Sequence, residues 1–205
     1  MIYFIVTTSL FNNCGIRQSQ YVQGITKLKQ IVGNHPNASI IIVENNGERA
    51  TFLDALHPEV YYTRNNSIKT GNKGIKELQD VRDCIEHYKI QDGDFIVKMT
   101  GRYILDDDSE FMDVVLNADH LNYDSILRYG SFMKPCDYKM YDSITGLIGM
   151  TCKYVKQIVR PTEHQCVEWM WAKATELIAD EKIHIVKQLG INIAPNPDCN
   201  NYFKV

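Results

Sequence analysis

Lys98-Met99-Thr100-Gly101-Arg102-Tyr103 sets two cations, a hydroxyl, a glycine and a phenol directly behind the apolar run Phe95-Ile96-Val97. A short run of aromatic and β-branched residues, entered through the turn signal Asp92-Gly93-Asp94, suits a strand buried on both faces. Side chains delivered where such a strand ends lie where open α/β sheets bind their ligands. Lys98, Thr100, Arg102 and Tyr103 are therefore read as part of a site floor suited to an anion. The competing reading is a solvated polar loop behind a core strand.

Three earlier apolar runs end in the same way. Ile2 to Thr7 passes into Thr8-Ser9, Ala38 to Val43 into Glu44-Asn45-Asn46-Gly47, and Val60 to Thr63 into Arg64-Asn65-Asn66-Ser67. One polar strand end is ordinary, because loops are polar. Four in succession point to one shared polar pocket. Gly71-Asn72-Lys73-Gly74 then opens a helix with the apolar stripe Ile75, Leu78, Val81, Ile85 and Tyr88. Its other face, with Lys76, Glu77, Asp80, Arg82, Asp83 and Glu86, reads as mostly solvated. Free N–H groups and the positive dipole end near Asn72 and Lys73 favour a phosphate, while a glycine-rich loop that merely starts a helix fits equally well.

These side chains must be held by a frame, and the periodicity supplies one. The spacing predicts a helix from about Arg17 to Val32, closed by Gly33, and a short helix over Glu48 to Leu56. Asp106-Asp107-Asp108-Ser109-Glu110 begins a further helix, where acids complement the dipole and cap free N–H groups. Strands are expected at 125–130 and 143–150, a helix over 152–159, and a last long helix from Thr162-Glu163 to Ile178. Of Trp169 and Trp171 on that helix, one is read as core and the other as bordering the pocket. The segments 183–186 and 190–194 read as edge strands, and 195–202 as loop.

Composition bounds the function. The 205 residues suit one domain, the hydrophobic share of 44% is ordinary for a globular protein, and a net charge of -3 provides no global field for nucleic acid or anionic membrane. No apolar run reaches the length of a spanning helix, and MIYFIVTTSL lacks a basic leader region, so a cytoplasmic protein is expected. Cys14, Cys84, Cys136, Cys152, Cys166 and Cys199 are scattered without a C-x-x-C pair, which argues for free thiols and against a zinc site. Neither G-x-G-x-x-G nor a P-loop is present.

The alternation of strands and helices, followed by a more antiparallel second half, resembles the GT-A glycosyltransferase fold. The residues that carry the likeness are VTTSL, VENN, RNNS with GNKG, and DFIVKMTGRY. It is most similar to the compact glycosyltransferase domains of large DNA viruses and bacterial polysaccharide clusters. The resemblance implies one α/β domain with a mixed, mostly parallel sheet flanked by helices, a nucleotide-binding half over about residues 1–105 and an acceptor half over about 106–205. It implies transfer of a hexose or pentose from a nucleotide-diphosphate sugar, in the first place a UDP-sugar, to a glycan or other hydroxyl. A nucleotidyltransferase of the same topology, or a non-catalytic sugar-nucleotide or glycan-binding module, are the alternatives.

Carried over residue by residue, the likeness puts Thr7, Thr8 and Ser9 at the base and ribose, Glu44 against the nucleoside, and Arg64, Asn65, Asn72 and Lys73 at the ribose and diphosphate. Where the family usually has Asp-x-Asp, this chain has Lys98-Met99-Thr100. Either Lys98 and Arg102 neutralise the leaving diphosphate themselves, or Mg2+ or Mn2+ is held by the run Asp106-Asp107-Asp108. Glu163 stands where the family places its base, with Glu168 second and Asp142 third. His184 could be the extra metal ligand of some relatives, and His164 reads as a surface residue.

Overall fold

The computed structural model describes residues 1–10, 15–117, 119–131, 134–193 and 202–205. The chain runs β1 (Ile2–Thr8), α1 (Gly15–Val32), β2 (Ala38–Glu44), α2 (Leu53–Leu56), β3 (Val60–Tyr62), α3 (Lys73–His87), β4 (Phe95–Thr100), β5 (Ile104–Leu105) and α4 (Glu110–Leu116). It continues through β6 (Ser125–Leu127), β7 (Tyr129–Ser131), β8 (Lys134–Cys136), β9 (Leu147–Thr151), α5 (Cys152–Val155), α6 (Val167–Ala174), β10 (Ile183–Ile185), β11 (Ile191–Ile193) and β12 (Phe203–Lys204). Cys14, Cys199 and nearly all of the expected terminal loop lie outside the described residues. No helix among the described residues is long and apolar enough to cross a membrane.

Seven strands form the central sheet in the order β10-β6-β9-β4-β1-β2-β3. β3, β2, β1 and β4 are parallel neighbours, β10 is parallel to β6, and β9 runs against both β4 and β6. The expected mostly parallel α/β sheet is thus present. A small sheet β12-β11-β5 and the hairpin β7–β8 stand apart from it.

Period-two alternation feeds both faces. Phe95, Val97 and Met99 join one core with Ile25 and Leu28 of α1 and Phe111 and Val115 of α4. Ile96 joins the other with Leu78 and Val81 of α3 and Met170 and Trp171 of α6. Each such side chain stabilises the fold by roughly 2 kcal/mol on full burial. Parallel register then aligns the strand ends: Thr7 lies beside Val43 and Thr100, Thr8 beside Glu44, and Glu44 beside Tyr62.

Several elements are shorter than the periodicity implies, each for a visible reason. The helix expected from Glu48 begins only at Leu53, because Arg49 instead donates to the Gly47 carbonyl and to Glu44. The last long helix begins at Val167 rather than Thr162, and a 3-10 turn, Thr175–Leu177, follows its end at Ala174. The Thr162 and Gln165 carbonyls are taken by the Asn72 amide, so that stretch does not coil. The strand expected over 143–150 is β9, Leu147–Thr151, and the helix after it ends at Val155. The helix behind the aspartate run is capped by Ser109, whose hydroxyl accepts from the Met112 N–H, and not by the aspartates.

Two close approaches fix the helices against the strand ends. A Cβ on Gly24 of α1 would come 2.4 Å from the Gly101 carbonyl oxygen and 2.6 Å from that of Tyr103. A Cβ on Gly74, at the start of α3, would come 2.6 Å from Cβ of Val167, at the start of α6. Only glycine lets α1 lie against the β4–β5 turn and α3 against α6.

Candidate active site

A cavity of 1120 Å³ opens at the aligned strand ends. The first half of the chain lines it with Thr7 and Thr8 at the end of β1 and Ser9 after it, Arg17 and Tyr21 of α1, Lys73, Lys76, Glu77 and Asp80 of α3, Thr100 at the end of β4, and Arg102 and Tyr103 of the β4–β5 turn. The second half contributes residues 142–146 and 163–169. The structure therefore brings together Thr7, Thr8, Ser9, Asn72, Lys73, Thr100, Arg102, Asp142, Glu163 and Glu168 of the residues singled out from sequence. Lys98, Glu44, Arg64, Asn65, Asp106 and Asp108 do not line it.

Lys98 is a correction to the sequence reading. β4 continues through Thr100, so Lys98 sits inside the strand, on the face that α3 covers, at 1% exposure. Its ammonium donates to Glu77 Oε1 at 2.7 Å, the Thr145 carbonyl at 2.6 Å and Thr100 Oγ1 at 3.1 Å. All three protons are used, as a buried ammonium requires. Glu77 Oε1 also accepts from Thr7 Oγ1 at 2.7 Å. Lys98 thus ties β1, β4 and α3 together beneath the cavity.

The α3 face read as solvated holds two inward acids, Glu77 and Asp80. Asp80 is 1% exposed and accepts from Asn45, Thr63 and Asn65, at the ends of β2 and β3. Burial pushes its carboxyl up to about 6, against the three hydrogen bonds that favour the ionised form. Both acids directly precede stripe residues, Leu78 and Val81, and that edge position is the signal the sequence offered.

Glu44 is fully buried and accepts from Thr8 Oγ1, the Leu10 N–H, the Asn46 amide and Arg49. It organises the loops behind β1 and β2. Asn65 donates to Asp80 and Asp83, while Arg64 is exposed beside Gly47. Asn72 caps α3 by accepting the Gly74 N–H, and its amide spans to Thr162 and Gln165. Among the α3 residues after it, Lys73 is exposed at the cavity edge.

The aspartate run does not fit a divalent cation at this cavity. Asp106 accepts from Asn192 and pairs with Lys204, Asp107 pairs with Lys27, and Asp108 lies 3.8 Å from Lys204. A cation there would have to displace lysines already in place. His184 packs its ring on Tyr123, centroids 4.8 Å apart, with Nε2 buried and away from the cavity. Among the described residues no cluster of three His, Cys, Asp or Glu is placed to hold a metal.

Charge in the cavity divides by its place in the chain. Its cations, Arg17, Lys73, Lys76 and Arg102, come from α1, α3 and the β4–β5 turn. Of its acids, Glu77 and Asp80 are engaged by Lys98 and by Asn45, Thr63 and Asn65, while Asp142, Glu163 and Glu168 come from the second half of the chain. Sequence reading passed over Arg17, whose buried Nε has no hydrogen-bond partner among the described residues. The Arg102 guanidinium lies over the Tyr103 ring, 4.9 Å from its centroid, a favourable cation–π distance. Burial raises the Tyr103 phenol, Arg102 opposes that, and Glu77 and Glu168 add to it. Burial likewise raises the Asp142 carboxyl. Glu168 lies in the first turn of α6 and is half-buried; Glu163 is exposed in the turn before the helix, next to the exposed His164.

No family model and no curated protein matches the sequence. Solved structures do match. TarS residues 1–349 of S. aureus align over 93% of this chain at 11% identity and a TM-score of 0.58. A mannosyltransferase of Pyrobaculum calidifontis, in complex with GDP-Man and Mn2+, aligns over 92% at 8% identity and 0.55. Mouse xyloside xylosyltransferase 1 aligns over 91% at 9% identity and 0.52. The chain spans 59% of the TarS fragment, 55% of the mannosyltransferase and 85% of the xylosyltransferase. Over more than nine tenths of its length, with strand ends converging on one cavity, the chain has a GT-A-like glycosyltransferase fold.

Proposed function

We propose that this chain transfers a hexose or pentose from a nucleotide-diphosphate sugar to a glycan or other hydroxyl acceptor. The observation that carries the reading is that one cavity gathers Arg17, Lys73, Lys76 and Arg102 from the first half of the chain and, besides the engaged Glu77 and Asp80, the acids Asp142, Glu163 and Glu168 from the second. A diphosphate donor needs the first and a hydroxyl acceptor the second.

In this reading Thr7, Thr8 and Ser9 border the nucleoside, and Arg17 and Arg102 hold the diphosphate, with Lys73 and Lys76 adding positive potential. As the bond from the anomeric carbon to the diphosphate breaks, its electron pair passes to the phosphate oxygen. Arginines stabilise that charge by charge-assisted, bidentate hydrogen bonds. In an inverting transfer the acceptor oxygen bonds to the anomeric carbon and its proton passes to a carboxylate. Glu168 is favoured for this role over Glu163, because it is half-buried in the first turn of α6 while Glu163 is exposed. Asp142 lines the same cavity.

The test is calorimetric titration with UDP, GDP, dTDP and CMP and their sugars, UDP-sugars first, with Mn2+ and again in EDTA, followed by assay of nucleotide release with a hydroxyl acceptor. Binding of at least one nucleotide sugar, weakened by Arg17→Ala and Arg102→Ala, is the expected result. Failure to bind any uridine, guanosine, thymidine or cytidine sugar nucleotide would overturn the reading.

A further inference from the structure

The acceptor's chemistry is written at the rim of the cavity. Trp169 lines the cavity and is 39% exposed, and Tyr141 is 72% exposed. Their rings meet edge to face, with centroids 6.3 Å apart and planes at 77°. Trp171, on the same helix, is buried in the core, so α6 sends one indole inward and presents the other outward. Single exposed aromatics are common and mean little. Here two form a corner continuous with the cavity, and each is next in sequence to a cavity carboxylate: Tyr141 to Asp142, and Trp169 to Glu168.

That combination matches a pyranose. One face of the ring is a set of polarised C–H groups, which pack on the electron-rich face of an aromatic side chain. Its edge is a set of hydroxyls, which donate to carboxylates. A lipid chain or an apolar peptide side chain would use the rings but desolvate Asp142 and Glu168 without offering them hydroxyl donors, at a cost in affinity. We propose that Trp169 and Tyr141 form the acceptor subsite and seat a pyranose ring, so that the acceptor is a glycan. This rests on the transferase reading of the same cavity.

The experiment is saturation-transfer-difference NMR of the wild-type protein with methyl pyranosides and short oligosaccharides of glucose, galactose, mannose and N-acetylglucosamine. It is run beside calorimetry with UDP and GDP, and repeated on Trp169→Ala and Tyr141→Ala, with circular dichroism to verify the fold. At least one sugar is expected to receive saturation at its ring protons, with affinity falling about tenfold in Trp169→Ala and nucleotide binding retained. Nucleotide binding with no sugar binding, or sugar binding undiminished in both variants, would overturn the subsite while leaving the donor reading intact. Sugar binding without any nucleotide binding would overturn the acceptor role and the transferase reading together, leaving a glycan-binding module.

Discussion

Lys98 Nζ stands 2.7 Å from Glu77 Oε1, joining the middle of the central sheet to the helix that borders the cavity. Lys98→Met should therefore act on stability first. Removing one member of a buried pair strands the other, and about 3 kcal/mol is expected here, at the low end for such pairs because Glu77 is 26% exposed. The double variant Lys98→Met/Glu77→Gln should recover part of the loss. Urea unfolding of the two singles and the double measures the coupling; additive losses would show that the pair contributes nothing.

Arg17 and Arg102 should control donor affinity. Each Ala variant is expected to weaken nucleotide-diphosphate binding by roughly tenfold to a hundredfold, the worth of a charge-assisted hydrogen bond. Binding of the nucleoside lacking phosphates should be unaffected. Equal weakening for nucleoside and diphosphate in calorimetry would remove both arginines from the phosphate role.

Glu168→Gln should lower kcat by about a hundredfold or more while leaving donor affinity within about twofold, as loss of a general base does. Glu163→Gln should be milder. Steady-state kinetics on both variants, with an acceptor that turns over, separates them. The reverse order would move the base to the turn before α6.

Asp80 should give the protein a pH-dependent stability. Its carboxyl keeps its proton to about 6 in the folded chain against an ordinary 3.8. Between those values the unfolded state binds fewer protons, so stability falls as pH rises from about 4 to about 6 and is level above, by on the order of 3 kcal/mol in all. Denaturation midpoints across that range check this, and Asp80→Asn should flatten the slope. An unchanged slope in Asp80→Asn would assign it to another group.

Gly24→Ala should couple packing to binding. The added methyl meets two backbone oxygens, so α1 or the turn bearing Arg102 must shift, at about 1–3 kcal/mol. Weaker diphosphate binding should accompany the lower melting temperature. A loss of stability with donor affinity intact would show that the turn keeps its place.

Much of this was legible in the chain because it is local. The apolar runs of β1, β2 and β4 and the stripe of α3 need no distant partner to be recognised, and the polar residues behind them mark the site. What was hidden depends on contacts far apart in sequence. Lys98 reads as a strand-end cation until Glu77 and Thr145 are seen around it. The aspartate run reads as a metal site until Lys27 and Lys204 arrive from opposite ends of the chain. Arg17 carried no local signal, since a cation at a helix start resembles any exposed residue. The true start of α6 depends on Asn72, which periodicity cannot report.

That asparagine has a mechanical consequence. One side chain closes the first turn of α3 and grips two carbonyls of the segment carrying Glu163 and His164. The start of α3 and the cavity segment before α6 are thus latched together in the native fold. Their mutual alignment is part of the native state, so in the proposed transfer the entropy of bringing them into register is lost once, when the chain folds, and not again at each turnover.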